Sequence, residues 1–308
     1  LFAEIEELQQ PEEVVRFVQK LQFYYEDDRE AVREAAYVAT EVMAHRMNLS
    51  VYLLVQEGQL LESRWEPSLL TWMNDEMAPL LRDLAERGVT PQPAIVAALA
   101  RIARGADFPF FLQLVEDPKV VDATFAQAAI GLGNLARFEA ARPLIVAIPK
   151  RSGPAQTRIF WALERIANAL QKDIAQEDQD EEVWEVVESL LALLGEVDDA
   201  GRCGLVMVIK SFQHAQAISP LLEFFDTEGA SITCPRVELT EPVGPPRAYI
   251  KEDRLRWLLL NVLAEIGAGN GQLRSWLGQA LTRSYDEQVM RGLRQLYGQL
   301  SREPDNSF

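Results

Sequence analysis

The feature that most restricts what this chain can fold into is a helical phase that keeps returning along it. Residues 12–23 place Val14, Val15, Val18 and Leu21 at i, i+1, i+4 and i+7, one stripe of a 3.6-residue period. Residues 30–46 are rich in Ala and carry almost no turn signal. The same texture returns at 92–104, 120–136, 155–171, 182–195, 202–213, 252–266 and 286–300. The breaks are short and punctuated, as at Gly88-Val89-Thr90-Pro91, Asp117-Pro118, Ser152-Gly153-Pro154 and Gly267-Ala268-Gly269. Proline suits such breaks because it lacks an N–H and sits best in a helix's first turn or just beyond its end. Strand-like alternation is almost absent, and only 230–250 reads as extended. Helices joined by short loops describe either a bundle or a solenoid.

The spacing of the helices separates those two. Aligned on Arg33, Val96 is followed by Leu99 and Ala103, and Phe125 by Ala128, Leu132 and Gly133. Ile159 is followed by Ala162 and Ile166, Arg202 by Leu205 and Ile209, Arg256 by Leu259 and Leu263, and Met290 by Leu293 and Tyr297. Arg158 is slipped one place earlier in this phase. The anchors 33, 96, 125, 159, 202, 256 and 290 are separated by 63, 29, 34, 43, 54 and 34 positions. A base interval of about 30–34 residues with two helices per unit is solenoid-like. The longest step is expected to hold one further unit across 51–87, and the 43- and 54-residue steps to carry insertions.

Residues 27–40 sharpen the expectation. Asp27 stands in a turn, Val32-Arg33 follows, Ala36 comes three residues after the Arg, and a small residue, Thr40, four later. This resembles the second helix of the HEAT repeat family. Phe125, Val96 and Met290 stand where that family has Arg, so a continuous Asp–Arg ladder is not expected. The resemblance implies an all-α fold: a right-handed α-solenoid of about seven or eight helical hairpins, one domain over 1–308. Composition marks two insertions in it, an acidic one at 173–182 and a Pro/Gly-rich loop at 226–250. The resemblance further implies a concave groove built from the second helices. HEAT-like families include bilin-attaching lyase subunits and alkyl-base DNA glycosylases, so an enzyme or enzyme subunit on the same scaffold is the alternative to a binding module.

Charge narrows the partners. The chain carries 47 acids against 30 Lys and Arg, a net charge of -17. Phosphate neutralisation by Lys and Arg supplies most non-specific nucleic-acid affinity, so nucleic acid is not an expected partner, and the glycosylase comparison weakens with it. Anionic membrane surfaces are disfavoured for the same reason. No apolar run reaches the length of a membrane span, and no secretory signal is visible, although the sequence begins at Leu1. Cys203 and Cys234 have no metal-ligand spacing and are expected as reduced thiols in a cytoplasmic protein. His45 and His214 each fall near a helix end and are expected as solvated turn residues. Neither metal nor cofactor is expected.

Within the acidic chain the charges are segregated. Residues 173–199 hold eleven acids and no Lys or Arg. Residues 137–172 hold seven bases and two acids. The basic island either receives an acidic segment of a partner or neutralises the acidic stretch that follows it. Arg33, Arg158, Arg202 and Arg256 recur near one phase. They either grip carboxylates from one edge of the groove or pair with turn acids such as Asp27 and Asp28. In the 226–250 loop, Arg247 and Tyr249 are the residue types that dominate interface hot spots. The partner-binding set expected from the sequence is therefore Arg158, Arg202, Arg247, Tyr249 and Arg256. The six tryptophans fall mostly at helical core spacing. No nucleophile motif appears, and Gly131-Leu132-Gly133 and Gly267-Ala268-Gly269 follow no strand, so neither is a dinucleotide fingerprint. The function expected is a non-catalytic scaffold that holds a protein or peptide.

Overall fold

The computed structural model describes residues 10–24, 27–36, 93–172, 180–227, 232–234, 238–239, 247–248, 255–267 and 270–301, with single positions at 8, 38, 39, 43, 46, 50, 81 and 82. The further unit expected across 51–87 falls almost wholly outside the described residues, as does 173–179 of the acidic insertion. The chain divides into two compact units, Leu1–Leu135 and Ala136–Phe308.

In the first unit, α1 (Pro11–Gln22) opens on Pro11, with Glu12 and Glu13 in its first turn. The missing proline N–H costs nothing there, and acids favour the positive end of the helix dipole. The Glu13 carboxylate reaches back to accept from Gln10 N at 3.3 Å. Val14, Val15, Val18 and Leu21 are all buried, the stripe expected from the spacing. Further along, α2 (Pro93–Arg101) and α3 (Phe108–Glu116) both pack on α4 (Asp122–Leu135). Asn134 Nδ2 donates to the Ala100 carbonyl at 2.9 Å, tying α4 to the end of α2. Asp107 is fully buried before α3. It accepts from Arg104 N at 2.9 Å and from Arg82 Nε at 3.0 Å, so the buried charge is paired.

The second unit is a run of helix pairs: α5 (Ala141–Ala147) with α6 (Gly153–Leu170), α7 (Asp180–Ala192) with α8 (Asp199–Phe212), α9 (Ile218–Thr227) with α10 (Leu255–Ile266), and α11 (Gly271–Ala280) with α12 (Glu287–Leu300). Within each pair the two helices pack on each other. The second members also pack in order, α6 on α8, α8 on α10 and α10 on α12, while α5 packs on α7. This gives two layers, with second helices side by side in one of them.

The layer of second helices is close because of glycine. A Cβ on Gly204 of α8 would lie 2.3 Å from the Phe160 ring of α6. One on Gly292 of α12 would lie 2.4 Å from Trp257 of α10. The aromatic of one helix thus fills the space that the absent side chain leaves on the next.

Helix ends follow local chemistry. Asp198, Asn270 and Asp286 cap α8, α11 and α12, their side-chain oxygens accepting from Gly201 N, Leu273 N, and Gln288 N with Val289 N. Three first helices open alike. A 3-10 turn (Gly105–Asp107, Phe138–Ala140, Ala215–Ala217) leads into α3, α5 and α9, each with a proline in its first turn at Pro109, Pro143 or Pro220.

The insertion after α9 contains a two-residue antiparallel ladder, β1 (Glu238–Leu239) with β2 (Arg247–Ala248), in the segment expected to be extended. The expectation of reduced thiols is overturned: Cys203 of α8 and Cys234 of the insertion form a disulfide, their Cα atoms 5.8 Å apart. Sequence separation hid this, because the insertion folds back onto the start of α8. His214 also departs from expectation. It is 8% exposed, not solvated, and stacks on Trp184 with centroids 5.2 Å apart. Its Nδ1 accepts from Gln216 N at 3.4 Å. Its Nε2 lies 3.2 Å from Asp180 Oδ1 without hydrogen-bond alignment. His45 lies outside the described residues.

Candidate functional site

Two groupings in the second unit gather the side chains that could meet a partner. The first runs across the layer of second helices. Trp161, Glu164 and Arg165 share one face of α6, with the Arg165 guanidinium 5.2 Å from the Trp161 ring centroid. On α8, Lys210 reaches Glu265 of α10 at 2.8 Å, and its charge also acts on Glu164. Burial raises the Glu164 carboxyl above its ordinary value, only partly opposed by Lys210. One lysine thus answers two carboxylates from neighbouring helices, in the layer that also carries the half-buried Trp161 and Trp257.

The second grouping lies where α9, α10 and the α11–α12 turn meet. Arg256 Nε donates to the Phe225 carbonyl at 3.2 Å. Its guanidinium carbon sits 5.2 Å from the ring centroids of both Phe225 and Tyr285. Asp226 accepts from Arg283 Nη1 at 2.7 Å, from the Tyr285 hydroxyl at 3.1 Å and from Trp276 Nε1 at 3.2 Å. Burial alone would push the Asp226 carboxyl up, but these three donors outweigh it and hold it below its ordinary value. The same contacts keep Arg283 more firmly protonated. The Tyr285 hydroxyl is raised, by burial first and then by the Asp226 charge.

The residues expected from the sequence are distributed as follows. Arg158 is half-buried on α6 and already engaged by neighbouring groups. Arg202 Nε donates to the Leu194 carbonyl at 3.0 Å, and its Nη1 lies 3.4 Å from Asp199 Oδ1. Arg256 caps Phe225 as above. Arg33 Nη1 donates to the Asp27 carbonyl at 2.6 Å, while the Asp27 carboxylate takes Arg29 at 3.0 Å. The recurring arginine therefore serves a common structural purpose: in three places it satisfies a carbonyl in the last turn of the preceding helix or in the turn leading to its own helix. Arg247 lies in β2, where its backbone registers with Leu239. Tyr249 lies outside the described residues.

The basic island and the acidic stretch meet through Arg142 and Glu185, which form an ion pair between α5 and α7. Tryptophan was the type the sequence placed least well. Trp161, Trp184, Trp257 and Trp276 are half-buried rather than core: Trp161, Trp184 and Trp276 each engage a polar or aromatic neighbour, and the Trp257 ring lies against Gly292. Trp65 and Trp72 lie outside the described residues. The Asp226 cluster was not foreseen, because its members come from four separate segments and none carries a motif.

Among the described residues no group of His, Cys, Asp and Glu could hold a metal ion. No described helix is long and apolar enough to cross a membrane. The class that fold and site define is an all-α protein of paired helices. Neither a family model nor a curated protein matches the chain.

Proposed function

We propose that this chain is a non-catalytic scaffold that holds a protein or peptide partner. In this reading its hairpins form a right-handed, HEAT-like solenoid of about seven or eight units within one domain. The second helices make the groove, and the 226–250 insertion forms its rim. Arg247 and Tyr249 meet the partner from the rim, and Arg158, Arg202 and Arg256 from one edge of the groove.

The observation that supports the reading most is the ordered packing of α6, α8, α10 and α12 on one another, which sets half-buried tryptophans and paired charges along one layer. A rigid receptor surface lowers the ordering cost of binding. The net charge of -17 favours a partner other than nucleic acid or an anionic membrane. A cytoplasmic location belongs to the same reading only with the Cys203–Cys234 bridge reduced there, because disulfides persist chiefly in oxidising compartments.

Purification of the chain with its associated proteins from its host, followed by mass spectrometry, tests the proposal. One stoichiometric protein partner is the expected result, and recovery of none counts against it. With that partner in hand, Arg247→Ala combined with Tyr249→Ala weakens binding by about tenfold, or ~1.4 kcal/mol, and leaves the melting temperature unchanged. Unchanged affinity removes the insertion from the site. A visible absorbance band on mixing with tetrapyrroles would instead favour the lyase-subunit alternative.

A further inference from the structure

We propose that the Cys203–Cys234 disulfide is a redox-operated strap that holds the insertion between α9 and α10 against the scaffold, so that reduction frees the insertion while the helices stay folded. The insertion leaves the helical layers at Thr227 and rejoins them at Leu255. Near its start it touches the scaffold through two adjacent features. Ile232 is buried, and its carbonyl accepts from Leu255 N at 3.1 Å. Two residues on, Cys234 is 4% exposed and bonded to Cys203, which is fully buried in α8.

Beyond Cys234 the described hydrogen bonding turns inward, β1 pairing with β2 and not with a helix. Among the described residues, the ladder stands on a base fixed by a covalent bond, one backbone hydrogen bond and one buried side chain. The scaffold side of the bridge depends on it less. Leu205, Val206, Val208 and Ile209 of α8 and Leu255, Leu258, Leu259 and Val262 of α10 are buried, and the two helices pack directly on each other. Losing the bond therefore removes the base of the insertion from its place before it loosens the helices.

The chemistry is a two-electron exchange. A dithiol reductant attacks one sulfur through its thiolate, a mixed disulfide forms, and the second thiol of the reductant displaces it. The reductant leaves as its own disulfide, and Cys203 and Cys234 are left as thiols with the two protons it supplied. Both sulfurs are buried, so attack requires the base of the insertion to lift, and the closed strap shields its own bond. The device does not rest on the partner reading.

The test uses the full chain. Alkylation after denaturation without reductant is expected to label no cysteine, and after dithiothreitol to label both. Trypsin cleavage after Arg236 and Arg247, followed by mass spectrometry, is expected to quicken by about tenfold or more on reduction, as cleavage tracks the open population. Cys234→Ser should cleave at the reduced rate without dithiothreitol. Far-UV circular dichroism at 25 °C should be the same in all three samples. Equal cleavage in the oxidised and reduced wild type would overturn the strap. So would loss of helical signal on reduction, which would make the bridge a core staple, and so would two free thiols in protein purified without reductant.

Discussion

Asp226 shows at the scale of one residue how a partly buried charge is kept. Three donors converge on its carboxylate, and hydrogen bonds to a charged group are each worth about 1.5–3 kcal/mol. Its folded value lies below the ordinary one, so its contribution is present above the unfolded value of 3.8 and is lost as pH falls through the folded value. Asp226→Ala is expected to cost about 2 kcal/mol at pH 7, with the gap to wild type closing in strong acid, as read by denaturant titration. Glu164 carries the opposite sign. Its folded value is raised by burial, so ionisation above the ordinary 4.5 costs stability, and that cost disappears as pH falls below both values. Glu164→Gln is expected to raise the melting temperature at pH 7 and to lose the advantage below pH 4.5. Gln213 illustrates backbone cost. It ends α8 with φ at 52° and its side chain in solvent. An L residue in that region costs about 1 kcal/mol that glycine avoids. Gln213→Gly should therefore be neutral or stabilising, the reverse of glycine's usual effect, and a thermal melt would show it.

The elements explain which parts of the fold were legible. The helices seen in the sequence at 120–136, 155–171, 202–213, 252–266 and 286–300 are the second members of their pairs, α4, α6, α8, α10 and α12. They are 12–18 residues long, enough for their spacing to stand out. Of their partners, α7 is 13 residues long and also shows in the sequence at 182–195, but α3, α5, α9 and α11 run only 7–10 residues, and three of these four carry a proline near the start. Two turns give too few positions for a period to show, and a proline in a short apolar run reads as a break. Glycine separates two environments that the letters leave alike. Gly204→Ala forces a Cβ into the Phe160 ring and should cost about 1–3 kcal/mol. Gly298→Ala meets open space inside α12 and should gain about 0.5–1 kcal/mol from helix propensity. Equal effects in the two variants would show that α6 and α8 are not packed as closely as described.

At the scale of the whole molecule, charge dominates. A net charge of -17 opposes any compact state through self-repulsion, and salt screens it over a Debye length of about 8–10 Å near physiological ionic strength. Stability is expected to rise between about 0.01 and 0.15 M salt before levelling, a change that calorimetry at fixed pH would detect. A flat response would mean that local pairs such as Arg142–Glu185 and Lys210–Glu265 already neutralise the field.

The sequence by itself determined that this chain is helical, where its longer helices run, and that it carries a net charge of -17. Those properties follow from local periodicity and from counting charges, which need no knowledge of neighbours. Tertiary structure decided what each special side chain does. It joined Cys203 to Cys234, buried His214 against Trp184, and spent Arg202 and Arg256 on carbonyls of preceding helices. These contacts span 8–31 positions of sequence, and the Trp184–His214 pair alone spans two helices. No periodicity encodes such a distance; only the packing of helices within a pair, and of the insertion on α8, brings the groups together.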